Sequence, residues 1–122
     1  MRIAKSTRYA LAAALDMTQT LDRLNEQWRR EGKPELNIGI GINSGEMIAG
    51  NIGSEAIMSY TVIGDAVNLG SRLESLNKEY GTRILVSDAT RSRLTQPVDL
   101  RPIGSVTVKG RTQPVQVFEV RP

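Results

Sequence analysis

Cysteine and histidine are both missing from this 122-residue chain. Without cysteine there is no disulfide framework, no iron–sulfur centre and no thiolate nucleophile. Without histidine, Ser-His-Asp and Cys-His catalysis, imidazole zinc sites and the usual neutral-pH proton shuttle are excluded. Aromatic residues are scarce, at one Trp, three Tyr and one Phe, so the basic face interleaved with aromatics that nucleic acid requires is not there. No apolar run reaches membrane-spanning length. An excess of one charge is small too, at +3. Chemistry must therefore use carboxylates, Lys, Arg, hydroxyls, backbone dipoles or a hard metal such as magnesium. A cysteine-free chain fits the cytoplasm, which is the expected location.

What is present suits one domain over residues 1–122, long enough to bury a core without staples. The basic excess is confined to residues 1–34, with 7 basic and 4 acidic side chains; the remainder holds 9 of each. Arg2, Lys5 and Arg8 before the apolar Tyr9–Leu15 mimic a secretory signal, but Asp16 ends that run and a helical pattern continues to Trp28.

That pattern predicts a helix over residues 6–30, started by Ser6 or Thr7 and stopped by Gly32 and Pro34. Its expected core face is Ala10, Ala13, Met17, Leu21, Leu24 and Trp28. Residues 36–42 alternate with period two, placing isoleucines on one strand face and leaving Gly39 and Gly41 bare on the other. Bare strand positions mark close approach by another backbone or by a ligand. Asn43-Ser44-Gly45 reads as a turn, and Glu46–Asn51 and Ile57–Ile63 read as further strands. A second helix runs from Gly64-Asp65 to about Tyr80-Gly81, with the stripe Ala66, Leu69, Gly70, Leu73, Leu76 and Tyr80. Residues 83–87 form a short strand, Ser87–Leu94 a short helix capped by Ser87 or Asp88, and 98–108 with 114–120 a hairpin. Val106 and Val108 face Val115 and Val117 across it. The order predicts an α+β or α/β fold.

The glycines at 39, 41, 45, 50 and 53 match neither GxGxxG nor GxxxxGK[ST]. The second helix carries more. Asp65, Asn68 and Arg72 lie three and four residues apart on one face, next to a helix N-terminus, where an amide and a guanidinium can address a ribose or a phosphate. Lys109, at a glycine turn between strands, is a second candidate phosphate contact beside its plainer reading as a solvated hairpin lysine.

The run IGIGINSGEMIAGNIGSEAIMSYTVIGDAVNLGSRLESL, Ile38–Leu76, resembles the catalytic domain of class III adenylate/guanylate cyclases, and VTVKGRTQPVQVFEV, Val106–Val120, is similar to that domain's closing hairpin. The first helix also resembles the helix before the family's glycine-rich strand. The resemblance implies conversion of ATP, ahead of GTP, to the 3′,5′-cyclic nucleotide and pyrophosphate at sites shared between two catalytic domains. It assigns Asn68 to the ribose, Arg72 to charge on the reacting phosphate, Lys109 to the polyphosphate tail and Thr61 to the base. A hydroxyl at Thr61 is more typical of bacterial adenylate cyclases.

The family's two aspartates for magnesium or manganese precede the helix that opens this chain. Asp16 and Asp22 sit in a helical pattern and match neither. The resemblance thus implies the C-terminal two-thirds of a partial ferredoxin-like cyclase domain, α+β, lacking its N-terminal strands and with no metal ligands of its own. The expectations are a chain inactive alone, a homo-oligomer with swapped or newly paired strands, and an intact cyclase domain as a catalytic partner. The faces of Ile38–Ile42 are expected to lack neighbours. The alternative is a non-catalytic nucleotide-binding or regulatory partner of an intact cyclase. A basic interaction domain with unrelated ligands has only the charge of the first helix behind it.

Overall fold

The computed structural model describes residues 3–45, 48–54, 57–63, 65–107 and 113–121. Its elements are α1 (Ile3–Arg30), β1 (Ile40–Ile42), β2 (Ile48–Ser54), β3 (Ile57–Ile63), α2 (Asp65–Tyr80), β4 (Ile84–Ser87), α3 (Asp88–Arg91), β5 (Leu100–Val106) and β6 (Val115–Val120). Four strands form a mixed sheet in the order β1-β4-β6-β5, while β2 and β3 make a separate antiparallel hairpin. Strand β1 runs parallel to β4, and the other pairs in the sheet are antiparallel.

The sheet is covered on both faces. On one, α2 buries Leu69, Leu73 and Leu76 against Leu85, Val106 and Val117. On the other, Leu11 and Ala14 of α1 pack with Ile84, Val86 and Val120, and Ile40 and Ile42 join this layer. All four residues of β4 are therefore buried, as expected of a strand sandwiched between helices. The register of β5 on β6 shifts between Pro102 and Gly104. This bulge lets Ile103 and Val106, three residues apart, reach the same side of the sheet. Val106 pairs with Val115, and Val117 pairs with Gly104; Val108 lies outside the described residues.

Both long helices stop at a glycine with positive φ, Gly32 at 73° and Gly81 at 65°. Lys33 N–H reaches back to the Trp28 carbonyl at 2.8 Å and Thr82 N–H to that of Asn77 at 3.0 Å. These are bonds six residues to one around a left-handed residue, which glycine adopts without a Cβ penalty.

Several expectations change. Helix α1 starts at Ile3, so Ser6 and Thr7 lie within it and do not cap it. Its buried face is Thr7, Leu11, Ala14, Thr18 and Asn25. Of the expected stripe, Leu21 and Trp28 are half-buried, whereas Ala10, Ala13, Met17 and Leu24 are exposed. The sheet took the neighbouring face, where small and polar residues permit close approach and Asn25 can bond the chain that returns from the helix. Asn25 Nδ2 donates to the Leu36 carbonyl at 2.7 Å, and Leu36 N–H donates to Asn25 Oδ1 at 2.8 Å. That pair occupies the backbone of Leu36, so the strand expected from residue 36 begins only at Ile40. Tyr80, placed in the core stripe of α2, is exposed. The faces of β1 do not lack neighbours: α1 covers the isoleucines and α2 the glycines. A Cβ at Gly41 would meet Glu74 N at 2.5 Å and the Gly70 carbonyl at 2.6 Å. The close approach read from the bare positions is thus made by a helix backbone.

Candidate functional site

Helix α2 presents two unlike faces. Ala66, Leu69, Leu73 and Leu76 are buried, while Asn68 and Arg72 are exposed. The spacing of four residues stacks these two side chains one turn apart. Fixing Leu69 and Leu73 in the core fixes the helix rotation, and that rotation points Asn68 and Arg72 outward. Arg72 Nη2 lies 3.9 Å from Glu79 Oε2, with the arginine side chain 46% exposed. A pair so long and so wet holds its arginine weakly, so the guanidinium is available to a stronger anion.

Strand β3 ends at Ile63, two residues before α2 begins. Thr61 pairs in register with Gly50 of β2. It therefore sits on the hairpin that feeds directly into α2, on the approach to the helix N-terminus. Lys109, with its turn through Thr112, lies outside the described residues. Thr61 thus lies on the hairpin that precedes α2, and Asn68 and Arg72 share one exposed helix face.

Among the described residues no group of three or more His, Cys, Asp or Glu could hold a metal ion. An amide and a guanidinium do not make the oxygen cage that magnesium or manganese takes. Asn68 and Arg72 themselves therefore give a divalent cation no carboxylate ligand.

What positions the N-terminal turn of α2 was not read from the sequence. Asn43 Nδ2 donates to the Ala66 carbonyl at 2.8 Å, and Ser87 Oγ donates to Asn43 Oδ1 at 2.6 Å. In sequence these residues looked like turn formers and a cap, and only the capping by Ser87 was legible. Ser87 does cap α3, accepting from Thr90 N–H.

No described helix is long and apolar enough to cross a membrane. A family model for the adenylate and guanylate cyclase catalytic domain matches residues 2–120. An adenylate cyclase of Anabaena cylindrica is 40% identical over 123 residues, covering 95% of this chain and 24% of that protein. The solved structure of the adenylyl cyclase CyaB from P. aeruginosa superposes with a TM-score of 0.86 at 34% identity, covering 100% of this chain and 62% of that one. That of the guanylyl cyclase Cya2 gives 0.81 at 36% identity, covering 98% and 59%. The chain thus spans about a quarter of the curated relative and under two-thirds of each solved chain.

Proposed function

This chain belongs to the adenylate and guanylate cyclase catalytic domain family, and we propose that it supplies one side of a composite site converting ATP to 3′,5′-cyclic AMP and pyrophosphate. One observation supports this above the others: Asn68 and Arg72 stand one turn apart on the exposed face of a helix whose opposite face is locked in the core. A half-site that closes only against a second polypeptide needs such an open, rigidly aimed face.

Asn68 holds the ribose, placing the 3′-hydroxyl for in-line attack on the α-phosphate. As the bond to pyrophosphate breaks, negative charge grows on the phosphoryl oxygens. Arg72 releases Glu79 and meets that charge, since paired N–H···O bonds to phosphate outweigh a long, hydrated carboxylate contact. Lys109 neutralises the polyphosphate tail and Thr61 contacts the base. The adenylate cyclases among the relatives favour ATP, while Cya2 shows that the same fold serves a guanylyl cyclase. Magnesium or manganese would supply charge neutralisation when bound, held by carboxylates of an intact cyclase domain facing this chain rather than by Asn68 or Arg72.

The test is cyclic AMP formation under manganese-ATP by this 122-residue chain, alone and mixed with an intact adenylate cyclase domain whose own ribose- and phosphate-contacting residues have been replaced. Expected are no turnover by either alone and turnover on mixing. Arg72→Ala should lower the rescued rate by about 10²–10³-fold, the usual effect of removing one transition-state donor. Robust synthesis by the chain alone refutes the half-site. ATP binding in a mixture that never turns over favours the regulatory alternative.

A further inference from the structure

A knot of side chains at the end of β1 is left unused by the reading of Asn68 and Arg72. Asn43 follows β1 directly and is half-buried. Its Nδ2 donates to the carbonyl of Ala66, in the first turn of α2, at 2.8 Å. Its Oδ1 accepts from Ser87 Oγ at 2.6 Å. Ser87 and Thr90 are both fully buried. Thr90 Oγ1 donates to the Ile42 carbonyl at 3.2 Å and lies 3.0 Å from Ser44 Oγ. One glycine keeps the parts close: a Cβ at Gly45 would lie 3.0 Å from that of Ala66.

The direction of these bonds is determined. The Ala66 carbonyl can only accept, so the NH₂ of Asn43 faces it and Oδ1 turns to Ser87 Oγ, whose hydroxyl lies closer to Asn43 Oδ1, at 2.6 Å, than to Thr90 Oγ1, at 3.4 Å. The flipped amide would set oxygen against the Ala66 carbonyl. The Ala66 carbonyl is already the helical acceptor for Gly70 N–H. The bond from Asn43 is therefore additional to the helix ladder, and a backbone group is not being rescued by it. Its effect is to join the sheet to the helix end two residues before Asn68.

We propose that Asn43 is a positioning residue for the half-site: oriented by Ser87, it fixes the height and rotation of the first turn of α2, and through them Asn68 and Arg72. The inference rests on the reading of α2 as the nucleotide-contacting helix. Misplacing a reacting group by about 1 Å can cost on the order of 10²-fold in rate, so one such strut has a measurable consequence.

Two readouts test it. In the isolated chain, amide hydrogen exchange is followed at Leu69 and Gly70, whose N–H groups are held by helical bonds to the first turn of α2. In the complementing mixture, kcat and KM for ATP are measured. Asn43→Asp keeps the acceptor for Ser87 but turns an oxygen towards the Ala66 carbonyl; Asn43→Ala removes both bonds. Expected for each is exchange at Leu69 and Gly70 faster by about tenfold, with β4 and β6 unchanged, and kcat lower by about 10–10²-fold while KM stays within about twofold. Ser75→Ala, which removes only a bond within the exposed side of α2, should leave both readouts at their starting values. Should either Asn43 variant fold poorly, Ser87→Ala removes the hydroxyl that orients Asn43 Oδ1, together with the cap of α3, while keeping the amide, and is read in the same two ways. Variants that lose thermal stability yet keep normal kcat and normal exchange overturn the inference, because a merely structural strut predicts that pattern. If the unsubstituted mixture shows no turnover, the half-site reading fails, and exchange alone then decides whether Asn43 holds the helix.

Discussion

A methyl group at position 41 is the smallest change that probes how closely α2 lies on β1. The neighbours of that methyl would be main-chain atoms, Glu74 N at 2.5 Å and the Gly70 carbonyl at 2.6 Å, which no rotamer change can move aside. Gly41→Ala is therefore expected to destabilise by about 1–3 kcal/mol or more, as overpacking does, read as a lower urea midpoint with an unchanged slope. The bare positions were legible in the sequence, but what filled the space was not: alternation with period two is the same whether a helix or a ligand lies above. At the surface, Arg83 joins β4 to α1 through Asp22, with Nη1 and Nη2 at 3.0 Å and 2.9 Å from its two oxygens. The bond to Arg83 holds the Asp22 carboxyl below its ordinary value of 3.8. A carboxyl whose pKa is lowered on folding contributes stability above its unfolded pKa and loses it as pH falls through the folded one. Asp22→Asn should thus lower the melting temperature slightly at pH 7, and the difference from the unsubstituted chain should close as pH falls below about 4, followed by circular dichroism.

Helix α1 shows why an element's existence is easier to read than its orientation. Two apolar stripes run along it, one through Leu11 and Ala14 and one through Ala10, Ala13, Met17 and Leu24. Periodicity supports a helix in either case and ranks the bulkier stripe first. The sheet accepts the other, because Thr18, Arg83 and Asn25 can bond only from that side: Arg83 Nη2 donates to the Thr18 carbonyl at 3.2 Å, and Asn25 clamps Leu36. The two faces predict opposite outcomes. Leu11→Ala, truncating a side chain 4% exposed, should cost about 2–5 kcal/mol. Met17→Ser and Leu24→Ser, at 48% and 39% exposure, should each stay within about 0.5 kcal/mol. Equal losses on both faces, measured by denaturant unfolding, would contradict the packing described. In α2, by contrast, a single apolar stripe left one choice, and the polar face with Asn68 and Arg72 followed from it.

Across the whole molecule, the consequential feature is the open side of β1. Ile40 N–H donates to the Arg83 carbonyl at 2.9 Å, so the alternate residues Gly39 and Gly41 direct their amides and carbonyls away from β4. Among the described residues β1 is an edge strand, and it carries neither the proline nor the charge that blunts an edge. Exposed Leu36 and Ile38 lead into it. Sedimentation of the 122-residue chain is accordingly expected to give a dimer or larger species at micromolar concentration. A stable monomer with cooperative unfolding would show that this edge is not used for pairing.

Local patterns were sufficient to determine the elements of this protein, their order and the helix carrying Asn68 and Arg72, because each depends on neighbours within a few residues; they left α+β and α/β both open. The glycine stops at Gly32 and Gly81 belong to the same level. Which face of α1 meets the sheet, that α2 and not a ligand fills the hollow over Gly41, and that Asn43 and Ser87 brace Ala66 were decided only by tertiary structure. Those contacts join residues 23 to 65 positions apart in the chain, and their partners are chosen by how whole elements pack.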